Sequence, residues 1–129
     1  MTGTLRLLLG AAIVSTAIHY TDNYAAIDDF PQPGWVAEWN IAASWVVLTV
    51  VGLLGYRLYS QGRLVPAHAL LAVYSYTGLS SLGHYLYGAP DPLLRNISII
   101  ADGLTGAAIL GFVIWSELQR SAGGTVARA

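Results

Sequence analysis

An all-α integral membrane protein is the fold class that this sequence predicts: a four-helix bundle with both termini in the cytoplasm. The composition and the placement of charge predict it. Of the 129 residues, 55% are hydrophobic and 10% are charged, whereas soluble domains carry roughly 25% charged residues. The apolar residues gather into four long stretches, and most arginines lie on one side of a four-span arrangement. A chain of this length is expected to form a single domain.

Four stretches of the sequence are long enough to cross a membrane. A helix needs about 20 mostly apolar residues to cross a hydrocarbon core that is roughly 30 Å thick. The stretches that meet this requirement cover residues 5–24, 35–59, 65–87 and 96–118. We expect them to form one domain over residues 1–120, followed by a disordered cytoplasmic tail at 121–129.

Turn-forming residues separate these stretches. Pro-x-Pro segments at residues 31–33 and 90–92 and a Gly-Arg pair at 62–63 are typical chain breakers. The first stretch has an alternative interpretation as a signal peptide, because Arg6 precedes a leucine-rich run and residues 15–17 are small. Three further apolar stretches follow in either case, so the chain is expected in a membrane.

The arginines set the expected orientation. All six basic residues are arginines. Of these, only Arg95 is expected on the side of the membrane opposite to the termini. The other five are Arg6, Arg57, Arg63, Arg120 and Arg128. The positive-inside rule therefore places both termini in the cytoplasm, most simply at the cell membrane. The net charge of −1 excludes a nucleic-acid partner, and the absence of cysteine excludes thiolate metal sites and cysteine nucleophiles.

The two halves of the chain resemble each other. Residues 15–20 read Ser-Thr-Ala-Ile-His-Tyr and residues 80–85 read Ser-Ser-Leu-Gly-His-Tyr, each followed by a Pro-x-Pro loop and an Asn-Ile pair. This pattern is consistent with the parallel duplication of a helical hairpin about an axis along the membrane normal. The two histidines, His19 and His84, would then be equivalent positions.

Ionisable residues lie at one depth near the outer ends of the four stretches. At 1.5 Å per residue, they fall within a few ångströms of one another. Such residues are costly in a bilayer and normally face the interior of a bundle, so we expect them to line one pocket open to the outer face. They are His19, Asp22, Glu38, His84 and Asp102.

Several chemistries fit this set. Imidazoles with carboxylates are a plausible ligand set for a divalent Zn, Fe or Mn ion, which could then act as a Lewis acid. The predicted metal ligands are His19, Asp22, His84 and Asp102. The predicted catalytic carboxylates are Asp102 and Glu38, and the predicted ligand-binding residues are Ser80, Tyr74 and Asn40. In the alternative interpretation, these residues have only a structural role: they hydrogen-bond one another or extend to the membrane interface.

Two further site chemistries receive less support. His19 and His84 could ligate one haem b axially, although carboxylates crowd the site. Ser80 lies four residues before His84 and could act as a nucleophile, but a serine there usually bonds to its own helix backbone. His68 is expected at the cytoplasmic end, about 24 Å from His84 along one helix, with no acidic neighbour and no role in the site.

The predicted fourth helix carries small residues at every fourth position: Gly103, Ala107 and Gly111. Such a stripe lets membrane helices approach closely. We expect it to pack inside the bundle or, alternatively, to form a homodimer. Loop acids at positions 28, 29 and 91 are expected in solvent.

Three features of the sequence resemble the architecture of the four-helix EXPERA-type membrane proteins. They are the two cytoplasmic termini, an outer loop that ends in Pro-Gly-Trp at residues 33–35, and a Pro-Ala pair at 66–67. That resemblance implies a sterol isomerase, or a sterol- or lipid-binding protein, with acidic and histidine residues in a membrane pocket. It implies no site residues here, because the helices do not match position by position. Three function classes therefore stay open: an enzyme or binder of a lipid-like ligand, a haem-binding subunit, and a structural membrane subunit.

Overall fold

The computed structural model describes residues 1–88 and 93–126. Within these ranges all regular structure is helical, with no strand, and four α-helices form a bundle. The helices are α1 (Thr2–Ala25), α2 (Glu38–Ser60), α3 (Leu64–Ser81) and α4 (Leu93–Val126). Short 3-10 segments lie at Ile27–Asp29 and Leu82–Leu86. The predicted Pro-x-Pro loop at 90–92, with its acidic residue, and residues 127–129 lie outside the described ranges.

The helices pack in the order of the chain around the bundle. α2 lies between α1 and α3, α4 lies between α3 and α1, and α1 and α3 face each other diagonally with few contacts. A duplicated hairpin would also place α1 and α3 at opposite corners, and the duplication itself stays a prediction. α1 contributes Leu5, Leu9 and Ala12 to the buried core, so it is a structural part of the bundle.

Three of the four helices are long and apolar enough to cross a membrane: α1, α2 and the Leu93–Ala122 part of α4. α3 is not among them, so the crossing predicted at residues 65–87 stays a prediction. α3 has 18 residues, the 3-10 segment continues it to Leu86, and its buried face is rich in polar groups. Those polar groups are His68, Ser75, Thr77 and Ser81. Because α2 and α4 pack against α3 on two sides, these groups lie inside the bundle.

Local hydrogen bonds explain where the helices begin. Asn40 accepts a hydrogen bond from the Ala37 N–H at 3.1 Å, and its amide donates to the Trp35 carbonyl at 3.1 Å. This cap starts α2 at Glu38, three residues after the predicted boundary. The turn before α3 contains Gly62 at φ +75°, which glycine adopts without strain. At the other end of the chain, α4 continues to Val126, so residues 121–126 of the predicted tail are helical.

The apolar core fills the half of the bundle that contains the α2–α3 turn. Ten buried side chains from all four helices form it: Leu5, Leu9, Ala12, Tyr59, Ala67, Leu71, Tyr74, Ile109, Phe112 and Val113. Burying a large apolar side chain stabilises a fold by about 1.5–3 kcal/mol. The opposite half contains the buried polar residues near the ends of α1 and α3. The fold thus separates an apolar half from a polar one.

The closest helix contact joins α3 and α4 through two glycines. A Cβ at Gly106 would lie 2.6 Å from the Ser75 carbonyl oxygen and 2.9 Å from the Leu79 backbone nitrogen. A Cβ at Gly78 would overlap the backbone carbonyl of Asp102. Since the obstructing atoms belong to the backbone, they cannot rotate away.

The predicted stripe of small residues on α4 is not this contact. Gly103 is buried, and a Cβ there would meet the Leu82 side chain at 2.8 Å, but Ala107 and Gly111 are exposed. Nothing lies within 4 Å of a Cβ built at Gly111. The expectation that all three pack inside the bundle is therefore wrong, because a helix turns by about 100° per residue and its neighbour lies nearer Gly106. A homodimer through the exposed positions stays a prediction.

We predict that Gly106→Ala destabilises the bundle, because its new methyl group meets backbone atoms. Overpacking typically costs about 1–3 kcal/mol, and the measurement is thermal unfolding in detergent. Gly111→Ala is the matched control. It should unfold like the parent or somewhat later, since alanine is the better helix former by up to about 1 kcal/mol. Equal unfolding temperatures for both variants would contradict the proposed contact.

Candidate functional site

A cavity of about 430 Å³ lies at the end of the bundle opposite the α2–α3 turn. The ends of α1 and α3, the start of α2, the 3-10 segment Leu82–Leu86 and the loop after residue 30 surround it. Of the eight predicted site residues, four line it: His19, Asn40, Ser80 and His84. The polar layer predicted from the sequence is therefore only partly assembled here.

The two histidines of the predicted site are in contact. The ring centroids of His19 and His84 are 5.3 Å apart, in an edge arrangement. Phe30 touches both rings, with centroid distances of 5.6 Å to His19 and 5.1 Å to His84. His19 is 1% exposed, and its Nδ1 lies 3.4 Å from the Ser98 hydroxyl of α4. Sequence reasoning missed Phe30; its position as the only aromatic residue between 25 and 34 was the available signal.

The backbone fixes the tautomer of His84. Its Nδ1 lies 2.7 Å from the Pro31 carbonyl oxygen, and because a carbonyl only accepts, Nδ1 carries the hydrogen. In the neutral ring, Nε2 is then a free acceptor or general base. Burial lowers the pKa of His84 below its usual value, although the hydrogen bond to Pro31 acts in the opposite direction. The residue lies beyond the end of α3, in the 3-10 segment.

Asp102 lies beside the cavity and holds three helices together. It is fully buried, and it accepts hydrogen bonds from Ser15 of α1 and, at 3.2 Å, from Ser81 of α3. Ser81 lines the cavity, but Asp102 does not. No contact among the described residues joins Asp102 to either histidine, so its predicted role of orienting them stays a prediction.

The other two predicted carboxylates also lie outside the cavity. Asp22 pairs with Arg95 at 3.4 Å, and Asp29 pairs with the same guanidinium at 3.2 Å. That guanidinium lies 5.0 Å above the Phe30 ring. Glu38 is exposed in the first turn of α2, where a negative charge suits the helix dipole, so a catalytic role is not supported.

The predicted metal set is not brought together. Among residues 1–88 and 93–126, no group of three or more His, Asp or Glu side chains is close enough to hold a metal ion. His19 and His84 meet, whereas Asp22 is paired with Arg95 and Asp102 with serines. The direct contact of the two rings also leaves no space for a porphyrin between them, so axial ligation of haem b does not fit this arrangement.

The remaining predicted binding residues are Tyr74, Ser80 and Asn40. Tyr74 is buried in the apolar core, where Gly52 gives it room: a Cβ at Gly52 would lie 2.8 Å from its ring. Ser80 donates to the Thr77 carbonyl at 3.0 Å, as expected for a helical serine. Asn40 lines the cavity while it caps α2. The structure thus places Tyr74 in the apolar core and outside the cavity lining, and the hydroxyl of Ser80 bonds its own helix backbone.

His68 differs from the expectation that it has no acidic neighbour. Its Nδ1 lies 2.5 Å from a Glu117 oxygen, and Arg120 bonds the other oxygen at 2.7 Å. Glu117 comes from α4, so no local sequence pattern reveals this pair. It lies at the α2–α3 end of the bundle, away from the cavity.

Comparisons with protein-family models, curated proteins and solved structures found no match for this chain. The cavity and its histidines are therefore the features on which a function can be based.

We predict that Asp102→Ala destabilises the bundle, because it removes the acceptor of the half-buried Ser15 hydroxyl and of the buried Ser81 hydroxyl. An unsatisfied buried polar group costs about 1–3 kcal/mol. Asp102→Asn keeps one acceptor oxygen and should lose less. Thermal unfolding in detergent compares the three proteins, and an Asp102→Ala variant as stable as the parent would show that the contacts contribute nothing.

Proposed function

We propose that the chain is a multi-pass membrane protein that binds a lipid-like molecule, with the polar group of the ligand beside His19 and His84. One observation carries the proposal: the contacting histidines lie in a cavity of about 430 Å³ whose other walls include Val36, Ile41 and Leu48. Ligand sites are typically apolar cavities with a few placed polar groups.

The surface of the bundle supports a membrane location. Large apolar side chains are exposed along α1, α2 and α4, for example Leu7 at 73% and Leu104 at 67%. Such extended apolar surface is unusual for a soluble monomer. We propose that α3 crosses with the others, since 18 residues span about 27 Å at 1.5 Å each. The arginine distribution then places the cavity at the outer face and both termini in the cytoplasm.

The chemistry of the cavity supports binding in preference to catalysis. His84 offers Nε2 as an acceptor, and the loop that contains Pro31 holds that ring in place. Asp22 pairs with Arg95, Asp102 accepts from two serines, and Glu38 is exposed outside the cavity. Ser80 bonds its own helix. An architecture like that of EXPERA-type proteins, which include lipid binders, points to the same ligand class.

We predict that His84→Ala loses bound lipid, because the cavity then lacks its fixed acceptor. A hydrogen bond is worth about 0.5–1.5 kcal/mol net, so affinity should fall severalfold. Lipid that co-purifies with the parent, His84→Ala and the control His68→Ala is extracted and quantified by mass spectrometry per mole of protein. The parent and the control should retain one species that His84→Ala retains poorly. Equal retention by all three would refute the proposed site.

We predict that residue 34 is accessible from outside the cell and residue 61 is not. Gly34→Cys and Gln61→Cys place single thiols at exposed positions in a chain without native cysteine. An impermeant maleimide on intact cells should label only the first, and both should react after permeabilisation. The reverse pattern would invert the orientation and place the cavity in the cytoplasm.

A further inference from the structure

We infer that the ligand is an uncharged acyl lipid whose head carries a free hydroxyl group, with its head in the cavity and its acyl chain in a groove between α1 and α2. This inference rests on the proposed function and specifies the ligand. The acceptors in the cavity, the absence of charge on its described walls and the position of the groove carry it.

The cavity presents hydrogen-bond acceptors without partners. Gln32 lines it, and its amide nitrogen donates to the Ile27 carbonyl at 3.2 Å, which fixes the side-chain orientation and identifies the other atom as Oε1. That oxygen is buried and has no hydrogen-bond partner among the described residues. Asn23, 7% exposed, also lines the cavity with a buried, unpartnered Oδ1. Together with Nε2 of His84, these atoms favour a head that donates hydrogen bonds, as a hydroxyl does.

The walls of the cavity favour an uncharged head. Its described lining contains no Arg, Lys, Asp or Glu. Arg95, the basic residue at this end of the bundle, pairs with Asp22 and Asp29. A phosphate or carboxylate taken into such a cavity would lose hydration without gaining a cation, which is strongly unfavourable. Phospholipids are therefore expected to bind more weakly than neutral lipids.

A second, apolar space shares one lining residue with the cavity. It has a volume of about 340 Å³ and lies between α1 and α2, lined by Tyr20, Thr21, Tyr24, Ala42, Trp45 and Val46. Tyr20 lines both spaces, so one molecule can extend from the first to the second past this ring. Tyr24 and Val46 are 47% and 53% exposed, which opens the groove to surrounding lipid.

The shape and surface of the groove favour an acyl chain. The indole N–H of Trp45 donates to the Thr16 hydroxyl at 3.2 Å, and that hydroxyl donates to the Ala12 carbonyl at 2.9 Å. The only polar atom of the indole is therefore satisfied inside the bundle, and its ring can pack against hydrocarbon. A flexible chain can bend around Tyr20 from cavity to groove, whereas a rigid fused-ring lipid cannot.

The test measures contact between the acyl chain and Trp45. In the full-length protein, Trp35, Trp39 and Trp115 are replaced by Phe, which leaves Trp45 as the single tryptophan; a variant that retains only Trp115 is the matched control. Each is titrated in detergent with diacylglycerol brominated on its acyl chains, with the phosphatidic acid of the same chains, and with a brominated sterol. Bromine quenches tryptophan fluorescence on contact.

We expect saturable quenching of Trp45 by the diacylglycerol, at least tenfold weaker binding of the phosphatidic acid and the sterol, and no saturable quenching of Trp115. Gln32→Ala in the Trp45 protein should weaken diacylglycerol binding severalfold. Equal or tighter binding of phosphatidic acid would overturn the uncharged head, and equal binding of the sterol would overturn the acyl chain. Lipid bound without quenching of Trp45 would overturn the groove alone. If no lipid binds to the parent by co-purification or titration, the proposed function itself fails.

Discussion

Asp102 is an acid in the interior of the bundle that pairs with no cation among the described residues, and the arrangement of three helices follows from how its oxygens are satisfied. Ser15 reaches it from α1 and Ser81 from α3. These contacts require α3 and α4 to approach closely, and Gly78 and Gly106 allow this because they have no side chain at the contact. The glycine contact and the carboxylate therefore act together: the first brings the backbones close, and the second fixes their register.

This constraint also explains the position of the helix with the most buried polar residues. Polar groups are costly in hydrocarbon, and α3 has four buried polar residues, more than any other helix in the described part of the chain. Packing α3 against α4 gives His68 and Ser81 the partners Glu117 and Asp102, and α1, α2 and α4 present apolar side chains outward. The polar half of the bundle then coincides with the end of α3, which is where the cavity forms.

Much of the fold could be predicted from the sequence, because helix length and apolar content are properties of single segments. The meeting of His19 and His84 could also be predicted, since depth along a helix follows from counting residues. The hydrogen-bond partners of the site residues could not be predicted. Asp102 lies at the same depth as the histidines but turns toward two serines, and rotation about the helix axis depends on neighbours that a single segment does not reveal. For the same reason, the regular spacing of Gly103, Ala107 and Gly111 did not reveal that α4 contacts α3 at Gly106. Glu117 lies 49 positions after His68, so that pair depends entirely on the tertiary fold.

His84 donates its Nδ1 hydrogen to the Pro31 carbonyl, so acid changes its other ring nitrogen and leaves this hydrogen bond in place. Protonation adds a hydrogen at Nε2 and leaves the Nδ1 donor in place, so the bond that anchors the loop persists in the imidazolium. The atom that faces a ligand, however, changes from acceptor to donor. Acid would thus change one acceptor of the cavity into a donor, while Oε1 of Gln32 and Oδ1 of Asn23 stay acceptors. Because burial lowers the pKa of this ring, that change requires acidic conditions. At neutral pH, Nε2 of His84 remains a hydrogen-bond acceptor in the cavity.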